Sequence, residues 1–92
     1  DSENSLRLGL VNVVADEDTL DQAVESYAHD IATNAPLTVR ASKQIIEQSL
    51  RPAEARDTAL CKRLQAQCYA SADFEEGRAA FAAKRPPQFS GV

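Results

Sequence analysis

Hydrophobic periodicity predicts four helices along most of the chain. In residues 20–32, apolar side chains recur every three or four positions and so share one face of an amphipathic helix. That face consists of Leu20, Ala23, Val24, Tyr27, Ala28, Ile31 and Ala32. Further helices are predicted for residues 36–50, 53–70 and about 74–85. Their apolar faces are wide but contain few large side chains, which favours close packing against another helix.

The boundaries of the first three helices have recognisable sequence signals. Thr19 and Gln22 have the spacing of a capping box, which predicts the start of the first helix. Pro36 suits the first position of the second helix, because proline lacks the N–H that this position leaves unpaired. Pro52 marks the start of the third helix.

The last helix is predicted to begin at Asp73, which is followed three residues later by Glu76. Pro86 and Pro87 are predicted to end it. Gly77 interrupts this helix and costs about 1 kcal/mol relative to alanine. Because alanines surround it, we interpret Gly77 as part of a smooth surface for close helix packing.

Residues 6–15, LRLGLVNVVA, are the only strand-like run in the chain. A single strand cannot form a sheet, so we expect its pairing partners to belong to sequence upstream of this chain. The predicted fold is therefore all-α, with three to four helices preceded by one short strand-like segment. Its 92 residues allow one small domain at most.

Composition excludes two classes of partner. The net charge is −4, and no cluster of Lys and Arg forms the basic surface that nucleic-acid binding requires. No apolar run approaches the roughly 18 residues of a membrane span. We therefore expect neither nucleic acid nor a membrane as a partner.

Cysteine and histidine placement indicates no metal site and no disulfide. Cys61 and Cys68 lie in one predicted helix, where a rise of about 1.5 Å per residue separates their Cα atoms by roughly 10 Å. A disulfide needs less than about 7 Å. We expect both to be small apolar packing residues, and His29 to be structural. Unbridged cysteines suit a reducing compartment, so we expect a cytoplasmic location.

The residues alone indicate no catalytic centre. Carboxylates stand at predicted helix starts or on polar faces, where capping and solubility account for them. No serine or cysteine is placed near a base, and the three glycines form no phosphate-binding loop. We therefore predict no catalytic residue in this chain.

Three blocks of residues nevertheless resemble the C-terminal part of the enoyl-CoA hydratase/isomerase family, the crotonase superfamily. The first block matches the family pattern at Leu6, Gly9, Leu10, Val11, Asn12, Val13 and Val14. The second matches at Ile31, Ala32, Ala35, Pro36, Val39 and Lys43, with Thr38 where alanine is usual. The third matches at Ser71, Asp73, Glu76, Gly77, Ala80, Phe81, Lys84, Arg85, Pro87, Phe89 and Gly91. Together the blocks cover essentially the whole chain.

The resemblance implies that residues 1–92 are the C-terminal helical segment of a crotonase-like fold, serving trimerisation and closure of the active site. The spiral core, the oxyanion-hole donors and the acidic catalytic residues of the family match no position here. We therefore expect a proteolytic fragment or a truncated polypeptide that is inactive alone. Its parent would act on acyl-CoA thioesters in fatty-acid metabolism as a trimer or hexamer, without a cofactor beyond the coenzyme A of the substrate.

The resemblance also nominates two ligand-binding residues. Phe81 and Lys84 correspond to the family's phenylalanine and lysine that hold the adenine and phosphate end of coenzyme A. Arg78 and Arg85 are weaker candidates for the phosphate. In the alternative interpretation Phe81 is a core residue and Lys84 complements the negative end of the helix. A second reading of the whole chain, an independent helical interaction module unrelated to coenzyme A, stays open at this point.

Overall fold

A computed structural model describes all 92 residues as five helices with no strand. The helices are α1 (Ser2–Arg7), α2 (Leu20–Ala32), α3 (Pro36–Ser49), α4 (Thr58–Tyr69) and α5 (Ala72–Ala82). Short 3-10 turns at Glu17–Thr19 and Ala53–Ala55 precede α2 and α4. The all-α prediction is confirmed.

The strand predicted for residues 6–15 is not present. Asp1 caps α1 by accepting a hydrogen bond from the Asn4 N–H at 2.8 Å, and the helix continues through Arg7. Gly9, two residues beyond the helix, has a φ of +73°, which glycine readily adopts. The chain then runs without regular structure to Asp16. A strand requires a hydrogen-bonded neighbour, and this chain supplies none for the apolar run.

Helices α2 and α3 occupy the predicted segments, but the first cap differs from the prediction. Thr19 does not accept a hydrogen bond from the first turn of α2; its hydroxyl instead donates to the Asp16 carbonyl at 3.2 Å. The third helix is shorter than predicted. Asp57 caps it by accepting from the Leu60 N–H at 2.8 Å, so α4 begins at Thr58 and Pro52 introduces only the preceding turn.

Helix α5 begins and ends differently from the prediction. Ser71, not Asp73, is its N-cap and accepts from the Phe74 N–H at 3.1 Å. The helix stops at Ala82, before the two prolines. Its last turn is closed by Lys84, which has a φ of +52°.

The main tertiary contact is between α3 and α4, with a smaller contact between α4 and α5. Two side chains tie the connection between α3 and α4. The buried Gln48 accepts from the Asp57 N–H at 2.9 Å. The Arg56 guanidinium donates to the carbonyls of Arg51 and Ser49 at 2.9 and 3.1 Å, which satisfies free acceptors at the end of α3.

The helices form a flat layer without a core of large side chains. The only buried hydrophobic residues are Ala41 and Ala80. The extents are 44 × 43 × 18 Å and the radius of gyration is 17.2 Å, whereas a globular domain of this length would have about 12 Å. The accessible surface is 7565 Å², against about 5200 Å² for a compact protein of 10.0 kDa. The layer therefore leaves exposed about 2300 Å² more than a self-contained domain would.

Candidate functional site

The third block of the sequence folds into one unit, because the C-terminal tail, residues 83–92, turns back along α5. Asp73 is almost completely buried, and its carboxylate binds the tail. One carboxylate oxygen accepts from the Ser90 N–H at 2.7 Å and from the Ser90 hydroxyl at 3.2 Å; the other accepts from the Gly91 N–H at 2.8 Å. The Asp73 N–H donates to the Val92 carbonyl at 3.1 Å. The role of Asp73 is to hold the tail.

Glu76 makes a second attachment one turn along the same face of α5. The Arg85 guanidinium forms a two-pronged ion pair with its carboxylate at 2.6 and 2.9 Å, and the Gln88 N–H donates to it at 2.8 Å. These hydrogen bonds, the Arg85 pair first and the Gln88 bond second, lower the pKa of Glu76 to about 2. The pKa of Arg85 is raised by the same pair. Glu76 is therefore committed to the tail and is not available for proton transfer near neutral pH.

Between these two attachments the tail packs on a glycine. A Cβ at Gly77 would lie 3.6 Å from the Phe89 ring, which is an ordinary contact distance. The predicted packing surface at Gly77 is thus covered by this chain's own Phe89. Gly91, with a φ of +81°, would place a Cβ 3.6 Å from the Pro36 ring, so the tail also reaches the start of α3.

Contacts within the fold account for most residues of the third block, but not for Phe81 and Lys84. Phe81 is 87% exposed, so it is not a core residue of this chain and that alternative is wrong within residues 1–92. Lys84 is exposed, and its ammonium forms no hydrogen bond or salt bridge. Phe81 and Lys84 lie in the last turn of α5 and just beyond it. An exposed aromatic face and an unpaired cation at one helix end could together contact a ligand with a planar ring and a phosphate.

The two weaker candidates have partners of their own. Arg78 lies 3.5 Å from the Glu75 carboxylate and about 6.0 Å above the Phe74 ring centre. Arg85 is held by Glu76. Lys84 is therefore the cation at this end of α5 that no carboxylate of the chain neutralises.

An apolar cavity of about 610 Å³ lies between α3, α4, α5 and the tail. Its lining includes Ile45, Cys68, Phe74 and Phe89, together with Asp73. All the hydrogen bonds accepted by the Asp73 carboxylate come from the tail. The other titratable side chains that line the cavity are those of Cys68 and Tyr69. The cavity therefore offers an apolar surface to a neighbouring element.

The two cysteines lie on one helix and the histidine lies on another. Cys61 and Cys68 are both free and half-buried on α4, as predicted. His29 is exposed on α2, and no group of three or more metal-ligating side chains comes together anywhere in the chain. None of the helices combines the length and the hydrophobicity needed to cross a bilayer.

Sequence reasoning missed the tail attachment itself. Asp73 and Glu76 suggest a helix start because acidic residues are common there. Their actual partners, Ser90 and Arg85, lie 17 and 9 residues away. The only available signal was that Asp73 and Glu76, three residues apart, lie on one face of the helix, along which the following tail could bind.

Comparison with known proteins places this geometry in context. The sequence pattern of the enoyl-CoA hydratase/isomerase family matches residues 1–92. The chain is 34% identical over 86 residues to the short-chain-enoyl-CoA hydratase of Clostridium acetobutylicum, covering 91% of this chain and 32% of that protein. It is 30% identical over 93 residues to the methylmalonyl-CoA decarboxylase of Escherichia coli, covering 98% and 35%.

Solved structures agree with the sequence comparison. The crystal structure of an enoyl-CoA hydratase from Mycobacterium tuberculosis superposes with a TM-score of 0.85 at 34% identity, covering 99% of this chain and 36% of that one. The chain thus spans about a third of the length of the relatives it matches. The match extends over all five helices and the tail, and the chain belongs to the enoyl-CoA hydratase/isomerase family.

Proposed function

We propose that residues 1–92 form the C-terminal part of an enzyme that acts on acyl-CoA thioesters, a hydratase or isomerase of fatty-acid metabolism. Here they would bind the outer end of coenzyme A and assemble subunits. Support comes from the relatives, which are named for CoA-thioester reactions. These names also argue against an interaction module unrelated to coenzyme A. We place the enzyme in the cytoplasm, because its two unbridged cysteines suit a reducing compartment.

The observation that carries the ligand-binding proposal is the pair Phe81 and Lys84. Both are exposed although the surrounding residues of the motif are used by the fold. The Phe81 ring would contact the purine and the Lys84 ammonium would contact a phosphate of coenzyme A. The residues that perform the chemistry would lie outside this chain, so residues 1–92 alone would be inactive.

The test compares two substrates in the full polypeptide that carries residues 1–92. An acyl-CoA thioester has the nucleotide, whereas the matching acyl-pantetheine thioester lacks it. Lys84→Ala should raise the KM for the CoA thioester by about tenfold, since a hydrogen bond to a charged group contributes about 1.5–3 kcal/mol. Phe81→Ala should also raise this KM, because it removes the aromatic contact with the purine. The KM for the pantetheine thioester and both kcat values should not change.

Matched controls are available elsewhere on the surface. Lys62 is an exposed lysine of α4, and Leu50 is 82% exposed, similar to Phe81. Lys62→Ala and Leu50→Ala should leave the ratio of the two KM values unchanged. If Lys84→Ala and Phe81→Ala also leave that ratio unchanged, the ligand-binding proposal is wrong.

The assembly proposal rests on the exposed area of the layer. Exposed apolar side chains include Leu20, Val24, Ile31, Val39, Ile46 and Tyr69. An excess of about 2300 Å² is in the range that stable subunit interfaces bury. The full polypeptide should sediment as a trimer or hexamer at micromolar concentration, and a monomer under those conditions would contradict the proposal.

A further inference from the structure

Two helices of this chain end in the same hydrogen-bonded motif but with different residues at its critical position. At the end of α1, the Leu10 N–H donates to the Ser5 carbonyl at 2.9 Å and the Gly9 N–H to the Leu6 carbonyl at 3.1 Å. These are the two bonds of a Schellman motif, and Gly9 has the left-handed conformation that the motif requires.

At the end of α5 the same position is occupied by a lysine. The Arg85 N–H donates to the Ala80 carbonyl at 3.0 Å and the Lys84 N–H to the Phe81 carbonyl at 3.2 Å. Lys84 has a φ of +52°, the one positive φ among the non-glycine residues of the chain. A side chain with a Cβ is strained in this conformation, where glycine is not. A lysine at this position therefore lowers the stability of the fold relative to glycine, and its side chain makes no hydrogen bond or salt bridge within the chain that would offset this cost.

The next residue is held by a strong and specific contact. The Arg85 guanidinium is tied to both carboxylate oxygens of Glu76, nine positions earlier in the chain. The Gln88 N–H donates to the same carboxylate, so Glu76 fixes the chain on the far side of the two prolines as well. Because Pro86 and Pro87 restrict the backbone between these anchors, the path of residues 85–88 is closely defined.

The same ion pair also separates the charges at this end of the helix. Arg85 would otherwise be a second cation next to Lys84, but its charge is neutralised by Glu76. An incoming anion then meets one unpaired ammonium, that of Lys84, beside a guanidinium that Glu76 already holds.

We propose that Glu76 is a positioning residue for phosphate recognition: through Arg85 it holds the Lys84 backbone in its left-handed conformation, and so fixes the point on the chain from which the free ammonium reaches the anionic end of the ligand. This inference rests on the proposed function, since it requires Lys84 to bind a phosphate of coenzyme A. It assigns to the Glu76–Arg85 pair a role beyond attaching the tail.

The experiment uses the full polypeptide and again compares the CoA thioester with the acyl-pantetheine thioester. Glu76→Gln retains the shape of the side chain but removes its charge. We expect the KM for the CoA thioester to rise up to about fivefold, with kcat and the KM for the pantetheine thioester unchanged. Arg85→Gln should have the same effect, and the double variant should be no worse than either single one, because both changes break one interaction. Glu75→Gln, which removes only the long contact with Arg78, is the matched control.

A second pair of variants tests the strain at Lys84. Lys84→Gly and Lys84→Ala should both raise the KM for the CoA thioester by about tenfold. Only Lys84→Gly should also raise the thermal midpoint, because glycine adopts the left-handed conformation without strain.

The possible results separate this inference from the proposed function. If Lys84→Ala leaves the KM ratio unchanged, the role of Lys84 in binding coenzyme A and this inference are both wrong. If Lys84→Ala raises the ratio but Glu76→Gln changes only the thermal midpoint, the proposed function stands and Glu76 is merely structural. If Lys84→Gly gives no gain in stability over Lys84→Ala, the conformational part of the inference is overturned.

Discussion

Different kinds of contact hold residues 1–34 and residues 36–92 of this chain in place. In residues 1–34 every side-chain hydrogen bond joins positions at most four apart, and no residue is buried. In residues 36–92 side-chain bonds reach up to 18 positions along the chain, and all five buried residues of the molecule lie there. The second region holds itself together with polar contacts, whereas the first has only local structure.

The contrast indicates where each region obtains its stability. Helix α2 has a well-defined apolar stripe, but Leu20, Val24 and Ile31 are each at least half exposed. A helix of 13 residues is marginal in water unless its apolar face is covered. The order of residues 1–34 should therefore depend on a surface outside this chain, while residues 36–92 retain tertiary contacts of their own.

The largest expected effect is in hydrogen exchange. In the polypeptide of residues 1–92, amides of α2 should exchange at least about tenfold faster than those of α3 and α4, because local opening costs less where few contacts must break. Exchange measured by NMR or mass spectrometry checks this. Equal protection of α2 and α3 would mean that the two regions do not differ as described.

The next effect concerns the buried carboxylate of Asp73. Asp73→Asn places an amide donor against the N–H groups of the tail, and we expect a loss of about 2–3 kcal/mol in the free energy of unfolding of residues 36–92. Urea unfolding measures this loss. Asp30→Asn in α2 is the control, since no hydrogen bond involves the Asp30 carboxylate; similar losses for both variants would contradict the prediction.

Glycine substitutions should give effects of opposite sign. Gly77→Ala should stabilise the chain by about 1 kcal/mol, because alanine favours the helix and its Cβ meets Phe89 at an ordinary distance. Gly91→Ala should destabilise it by about 1–2 kcal/mol, because the φ of +81° is unfavourable for alanine. Thermal unfolding compares the two. Gly9→Ala introduces backbone strain similar to that of Gly91→Ala, because the φ of Gly9 is +73°. Since Gly9 lies in residues 1–34, this variant should leave the unfolding of α3 and α4 unchanged.

The smallest effect is the pH dependence of the tail attachment. Since the pKa of Glu76 is lowered from 4.5 to about 2, its contribution is fully present above pH 4.5 and is lost as the pH falls towards 2. NMR titration of the Glu76 carboxyl carbon should give a midpoint near 2, and Arg85→Gln should move that midpoint upwards. A midpoint unaffected by Arg85→Gln would exclude the ion pair as the cause.

Helix positions could be read from the sequence because apolar spacing is a local property. The stripe from Leu20 to Ile31 and the proline at Pro36 located α2 and α3 within about two residues. The third block likewise indicated the family, because its residue types and spacing are visible in the sequence itself. The roles of Phe81 and Lys84 in binding coenzyme A remain predictions.

The misplaced elements depended on distant residues. LRLGLVNVVA has the composition of a buried strand, but its conformation depends on a pairing partner that this chain lacks. Ser71 and Asp73 are both good N-cap residues, and periodicity could not choose between them. The choice was decided by the tail, since Asp73 is required to bind Ser90 and Gly91.

The smallest dimension of the molecule, 18 Å, is less than twice the 10–12 Å diameter of a helix with its side chains. No residue of such a layer lies far from one of its two faces. Anything that binds a face therefore contributes to folding by mass action, by about 2.7 kcal/mol when present at 100 times its dissociation constant. A melting temperature measured for this region should consequently depend on protein concentration and on the covering partner, and is not a constant of the sequence.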